Sequence, residues 1–191
     1  MGFLSVLSFA HRCVGERLRP GDIAIDATAG TGADTAFLCS AVGRTGKIYA
    51  FDIQQEALDR TAERINRLPE APQLHLLLTS HAELLQFVPE REHGRVGAVM
   101  FNLGYLPGGD PHIMTKPDTT ITALDAALLL LKPGGIVSIT LYPGHEGGRQ
   151  EADRVERWAE SLASEQYQTV MYRFMNRNNP PYIIAVEKRK V

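Results

Sequence analysis

The chain has 191 residues, a formal net charge of −2 and an ordinary balance of 44% apolar and 22% charged residues. That length suits one domain, residues 1–191, with a well-buried core. The near-neutral charge argues against broad adhesion to nucleic acid while leaving room for a local basic face.

The opening MGFLSVLSFAHRCVGERL has no Lys or Arg ahead of its apolar residues and no small-residue cleavage site, so it does not read as a signal peptide. Phe3, Leu4, Leu7, Ala10, Val14 and Leu18 recur at helical spacing instead. They predict an amphipathic helix within residues 1–19 that closes one edge of the domain. Strands are expected at 22–26, 47–52, 73–78, 96–101 and 136–141, with helices at 33–42, 54–68, 82–88, 119–131 and 149–163 between and after them. Alternation of this kind with short linkers signals a parallel sheet layered by helices. The stretch 103–118 carries too many Gly and Pro residues for a regular element, and Lys132-Pro133-Gly134-Gly135 reads as a tight turn. Two late strands, 168–175 and 182–188, are close enough for an antiparallel hairpin. No later apolar run is long enough to cross a membrane. Cys13 and Cys39 belong to no C-x-x-C pair and read as reduced thiols of a cytoplasmic protein. The N-terminal helix and terminal hairpin offer apolar edges to a homodimer.

Chemistry concentrates in DATAGTGADT, Asp26 to Thr35, between the first strand and its helix. Gly30 and Gly32 let the backbone turn sharply and a ligand come close. About twenty residues on, the second strand ends in Asp52, placed to accept from both hydroxyls of an adenosine ribose, with Gln54 beside it. The third glycine of a dinucleotide fingerprint is replaced by Thr35, which disfavours a nicotinamide dehydrogenase. Asp26 stands inside the motif, where a pyrophosphate would be repelled and a cationic amino acid end attracted. The pattern D-x-x-x-G-x-G followed by an acid resembles the cofactor loop of class I S-adenosylmethionine methyltransferases. For Asp34 two readings stand, a contact to the cofactor's ammonium or a favourable charge at a helix start. Ser80 and His81 follow the third strand, where such folds touch adenine; His81 reads equally as a capping or packing residue.

FNLGYLPGGD, Phe101 to Asp110, follows the fourth strand, where class I enzymes present their acceptor. Amino-methylating enzymes commonly hold N/D-P-P-Y/F there. Asn102 and Tyr105 keep the amide and the aromatic ring without the prolines, and are the candidate catalytic pair. A literal Asn179-Pro180-Pro181-Tyr182 occurs in the late hairpin and reads as a structural turn or a substrate-side lip. Methyl transfer from a sulfonium needs a neutral nucleophile and positioning, with no metal and no covalent intermediate. No histidines are spaced as metal ligands. Asp110, His112 and Tyr105 are candidates to take the acceptor's proton, with bulk water as the alternative. Arg149, Arg154, Arg157, Arg173, Arg177, Lys188, Arg189 and Lys190 cluster mildly, as a phosphate-binding face or as ordinary solvated charge.

The segments AHRCVGERLRPGDIAIDATAGTGADT, FDIQ, FNLGYLPGGD, LYPGHEGGRQE and NRNNPPYIIAVEK together resemble one bacterial family, long labelled an rRNA methylase and understood as tRNA methyltransferases. The resemblance implies a Rossmann-like fold with sheet order 3-2-1-4-5-7-6 and helices on both faces. It further implies methylation of the amino group of 5-aminomethyl-2-thiouridine in the tRNA anticodon loop, with S-adenosylmethionine as donor. By position, Thr31, Asp52, Gln54, Ser80 and His81 line the family's cofactor site; many members have Asn where Thr31 stands. A methyltransferase for rRNA or a small amine, and a non-catalytic nucleotide-binding module, are the alternatives.

Overall fold

The computed structural model describes residues 2–145 and 147–190. Its strands are β1 (Ile23–Asp26), β2 (Lys47–Asp52), β3 (Gln73–Leu78), β4 (Val96–Asn102), β5 (Leu131–Leu141), β6 (Tyr167–Tyr172) and β7 (Tyr182–Lys188). Its helices are α1 (Val6–Gly15), α2 (Ala33–Val42), α3 (Gln55–Ile65), α4 (Leu84–Phe87), α5 (Pro117–Leu130) and α6 (Gly148–Ser161). The strands form one sheet in the order β3-β2-β1-β4-β5-β7-β6, the order the family resemblance implied. All neighbours are parallel except the β5–β7 and β6–β7 pairs.

Alternation along the strands divides the core between two faces. Ile25, Tyr49, Phe51, Val99, Phe101, Val137 and Ile139 pack with residues of α5 and α6. Their neighbours Ala24, Ile48, Ala98, Met100 and Ile136 pack with residues of α1 and α2 on the other side. The small residues Ala24 and Ala98 face the second layer, where Val14 and Leu38 fill the space.

The N-terminal helix lies on that second face and not at an edge. Val6, Ala10 and Val14, spaced by four, are its buried stripe, and Leu18 beyond its end continues the line. Phe3, 87% exposed, and Leu4 and Leu7 lie outside it. Helix α5 begins at Pro117, with Lys116 at the cap position in place of Asp118 or Thr119, the caps the sequence suggests, because proline lacks only an N–H that the first turn leaves unpaired anyway. The expected helix at 82–88 divides into a 3₁₀ turn, His81–Glu83, and the single turn of α4. The expected turn at 132–135 is a bulge inside β5: Val96 pairs with Leu131 and Ala98 with Ile136, so four residues loop out. Gly135 permits this, since a Cβ there would fall 2.9–3.1 Å from three backbone carbonyl oxygens. The hairpin strand β6 stops at Tyr172, three residues early, leaving a longer connection to β7. Among the described residues no helix is long and apolar enough to cross a membrane.

Candidate active site

A cavity of about 850 Å³ opens at the carboxyl ends of β1 to β5. Open α/β sheets bind ligands in this crevice. The loop after β1 forms one wall. Gly30 turns there at φ 53 and its N–H donates to Asp52 Oδ2 at 2.9 Å. The other carboxylate oxygen, Oδ1, accepts from the Gln54 N–H at 2.9 Å. Each oxygen keeps a further lone pair, so Asp52 retains capacity for two hydroxyl donors. Ile53, 56% exposed, adds an apolar surface to the same wall. Thr31 lines it too, and its carbonyl is held by Arg64 Nε at 2.9 Å.

Ser80 caps the turn after β3, its hydroxyl accepting from the Ala82 N–H at 3.2 Å. His81 is buried beside it, and burial lowers its pKa to about 4, so the ring is neutral. Its Nε2 has no hydrogen-bond partner among the described residues. Ser80, His81, Gln54 and Asp34 all line the cavity.

Two residues expected at the ligand stand behind it instead. Asp26 is 1% exposed and lies outside the lining; it accepts from Thr35 Oγ1 at 2.6 Å and from the Thr28 N–H at 3.1 Å. Burial, reinforced by the charge of Asp34, pushes its carboxyl up to about 7. Its work is to tie the loop to the first turn of α2, which also gives Thr35 a role in place of the missing glycine. Gly32, at φ 75, faces α3: a Cβ there would lie 2.8 Å from Thr61 Cα. Its contribution is the close approach of two helices.

The opposite wall is built on Asn102, the last residue of β4. Its N–H donates to Thr28 Oγ1 at 2.7 Å, and its Nδ2 donates to Asp34 Oδ2 at 3.3 Å. A carboxylate only accepts, so Asp34 fixes which end of the amide is the NH₂ and leaves Oδ1 as the acceptor. The second oxygen of Asp34 meets His11 Nε2 at 2.7 Å, and the His11 ring stacks on Phe37 with centroids 4.1 Å apart. Tyr142 lines the cavity nearby, its phenol pKa raised by burial and then by Asp34.

Tyr105, 44% exposed, stands on the cavity wall with its ring edge-on to His145. A bridge between Tyr105 and Met114 closes the acceptor loop on itself. The loop is then pinned from below. Thr115 Oγ1 accepts from the Gly104 N–H at 2.9 Å and donates to Glu151 Oε2 at 2.7 Å. Thr120 donates to Glu151 Oε1 at 2.6 Å. Asp110 and His112 are not brought to the cavity: Asp110 accepts from the His112 N–H on the outer loop, and neither residue lines the wall. The Asn-Pro-Pro turn does reach it, through Asn179 and Pro181, and so forms a lip.

Sequence reasoning missed His11, Glu151, Arg60 and Arg64. Arg60 and Arg64 read as solvent-facing charges on α3. Instead Arg60 Nη1 holds the Pro107 carbonyl at 3.0 Å while Arg64 holds Thr31, one clamp for each loop. Their spacing of four puts both on one helix face, the signal that was available.

Known proteins are similar to this chain in sequence and fold. A family model described as "Putative rRNA methylase" matches residues 48–187. A tRNA (mnm(5)s(2)U34)-methyltransferase of Arabidopsis thaliana chloroplasts is 37% identical over 189 residues, covering 95% of this chain and 68% of its own. A crystal structure titled putative rRNA-methylase from Clostridium thermocellum superposes with a TM-score of 0.93 at 35% identity, covering 98% of this chain and all of the other. A putative methyltransferase of Streptococcus mutans, solved with SAH, gives a TM-score of 0.87 at 33% identity over 98% of this chain and 99% of its own. The matched segment runs from β2 to β7 and takes in Asp52, Ser80, His81, Asn102 and Tyr105. With this match over most of its length, the chain belongs to the "Putative rRNA methylase" family.

Proposed function

We propose that the protein is an S-adenosylmethionine-dependent N-methyltransferase that converts 5-aminomethyl-2-thiouridine at the tRNA wobble position to its 5-methylaminomethyl form. One observation carries this reading: Asn102, its amide oriented by Asp34, stands with Tyr105 in the same cavity as the Asp52 carboxylate. The name of the Arabidopsis relative supports the choice of nucleoside.

The residues fit the cofactor. Asp52 suits the paired ribose hydroxyls, Ile53 a face of the adenine, the orphaned Nε2 of His81 a polar edge, and Asp34 a cationic amino acid end. When bound, the cofactor supplies a methyl group on a positively charged sulfur, which leaves by in-line displacement. The chain's own work is positioning and exclusion of water. Asn102 Oδ1 accepts one amine hydrogen and aims the nitrogen lone pair at the methyl carbon; the Tyr105 ring lies against the base. The arm is an alkylammonium at neutral pH, so a proton must leave before nitrogen attacks. Asp34 is the carboxylate beside Asn102, and His11, 32% exposed, connects it to solvent. The target base lies in a single-stranded loop, so a compact enzyme meets it already unpaired.

The test is nucleoside mass spectrometry on tRNA carrying 5-aminomethyl-2-thiouridine after incubation with protein and S-adenosylmethionine. A gain of one methyl on that nucleoside is expected. Methylation of rRNA alone, the activity in the family's name, would overturn the tRNA assignment and keep the reaction.

A further inference from the structure

A second, smaller concavity of about 240 Å³ lies on the far side of the Asn-Pro-Pro lip. Asn179 lines both spaces, so one residue separates them. Three arginines from three places in the chain converge there: Arg149 from the first turn of α6, Arg173 just beyond β6, and Arg177 in the hairpin connection. Arg149 is engaged with Asp153 at 2.9 Å. Among the described residues neither Arg173 nor Arg177 has a carboxylate within ion-pair reach.

Both are held by aromatic rings instead. The Arg173 guanidinium lies 5.7 Å from the centroid of Tyr182 and that of Arg177 lies 4.6 Å from Phe174. Arg173 Nη2 also donates to Met175 Sδ at 3.9 Å; the cation–ring contacts restrain both guanidinium groups while their other N–H groups stay exposed to donate to an oxyanion. Asn179 holds the lip in place with φ 43, a left-handed conformation that asparagine tolerates better than most residues. Beside the arginines Met175 is 80% exposed, an apolar surface at the rim of a charged groove.

We infer that this groove binds the backbone phosphate of the RNA nucleotide adjacent to the one whose base enters the main cavity. The inference rests on the proposed RNA substrate and gives the lip its purpose. Asn179 and Pro181 part the strand, so that the base turns to Asn102 and the phosphate to Arg173 and Arg177. The net charge of −2 does not oppose this, because recognition is local and the two arginines are not neutralised.

The experiment measures affinity of the full chain for a fluorescent anticodon stem-loop RNA lacking the aminomethyl group, across a range of salt, with SAH affinity measured in parallel. In the Arg173→Gln/Arg177→Gln double variant, RNA affinity should fall roughly tenfold or more and the salt slope should shrink by about 0.7, the share of one single-strand phosphate. SAH affinity should stay within about twofold, which also reports an intact fold. Arg173→Lys/Arg177→Lys should restore most of the salt slope but less of the affinity, because a lysine keeps charge without the planar fork. Arg44→Gln/Arg95→Gln, at the opposite ends of the strands, serves as the charge control. Equal loss in the control, or unchanged binding in the groove variant, would overturn the groove and leave the RNA reading intact. Failure of the wild-type chain to bind the RNA at all would overturn both.

Discussion

His11 Nε2 lies 2.7 Å from Asp34 Oδ1, joining a helix that precedes the sheet to the first turn of the helix that follows its first strand. Asp34 spends its other oxygen on the Asn102 amide, so a residue outside the cavity lining governs the orientation of one inside it. His11→Ala should therefore slow methyl transfer by about 10- to 100-fold, the usual cost of a misplaced reacting group. Asparagine or glutamine at position 11 can still donate to Asp34 and should recover part of the rate. Single-turnover kinetics beside calorimetric S-adenosylmethionine binding would check this; an unchanged rate would remove His11 from the site.

Asp52 joins the glycine turn to the end of β2, at the cavity. Asp52→Ala removes the carboxylate proposed to accept the two ribose hydroxyls and frees the Gly30 and Gln54 N–H groups it holds. At about 1.5–3 kcal/mol per charge-assisted hydrogen bond, S-adenosylmethionine should bind on the order of 100-fold more weakly. Isothermal titration gives the number. Unaltered affinity would place the cofactor elsewhere.

Glu151 is buried and takes two threonine hydroxyls from the acceptor loop and the start of α5. Truncation to alanine strands both. With about 1–3 kcal/mol for each unsatisfied group, a loss of about 3 kcal/mol is expected. For a domain of this size that lowers Tm by about 6–12 °C. Calorimetry tests it, and the variant should also lose acceptor turnover ahead of cofactor binding, since the loop it pins carries Tyr105.

Asp26 makes stability pH-dependent with an unusual sign. Its folded carboxyl titrates near 7, far above the unfolded value, because burial disfavours its charge. The folded state therefore binds more protons than the unfolded one between those values. Its contribution is fully present below the unfolded pKa and is lost as pH rises toward 7. Asp26→Asn keeps the site neutral throughout. The Tm of the variant relative to wild type should rise from pH 5 to about pH 7 and level off by pH 8; a flat difference throughout would refute the assignment.

Much of this molecule is written in its local pattern. Short apolar runs at Ile23–Asp26 and Lys47–Asp52, glycines at the turns, and breakers between 103 and 118 fix the strands, the loops and the strand ends near which Asp52, Ser80, His81, Asn102 and Tyr105 stand. These features depend on neighbours in sequence, so sequence reports them. The strand order came from resemblance and not from periodicity. The side-chain alliances are decided only by the tertiary structure. Asp26 and Asp52 are alike as acids at strand ends. One is sealed under Thr35 and the other faces the cavity, because only the packed α2 determines which is covered. His11 and Glu151 come from helices far along the chain, at separations of 23 residues from Asp34 and 36 from Thr115. No local spacing encodes such a meeting; it follows from where the two helices pack on the sheet. Nor could composition place the Tyr182 ring within 5.7 Å of the exposed Arg173 guanidinium, or the Phe174 ring within 4.6 Å of that of Arg177.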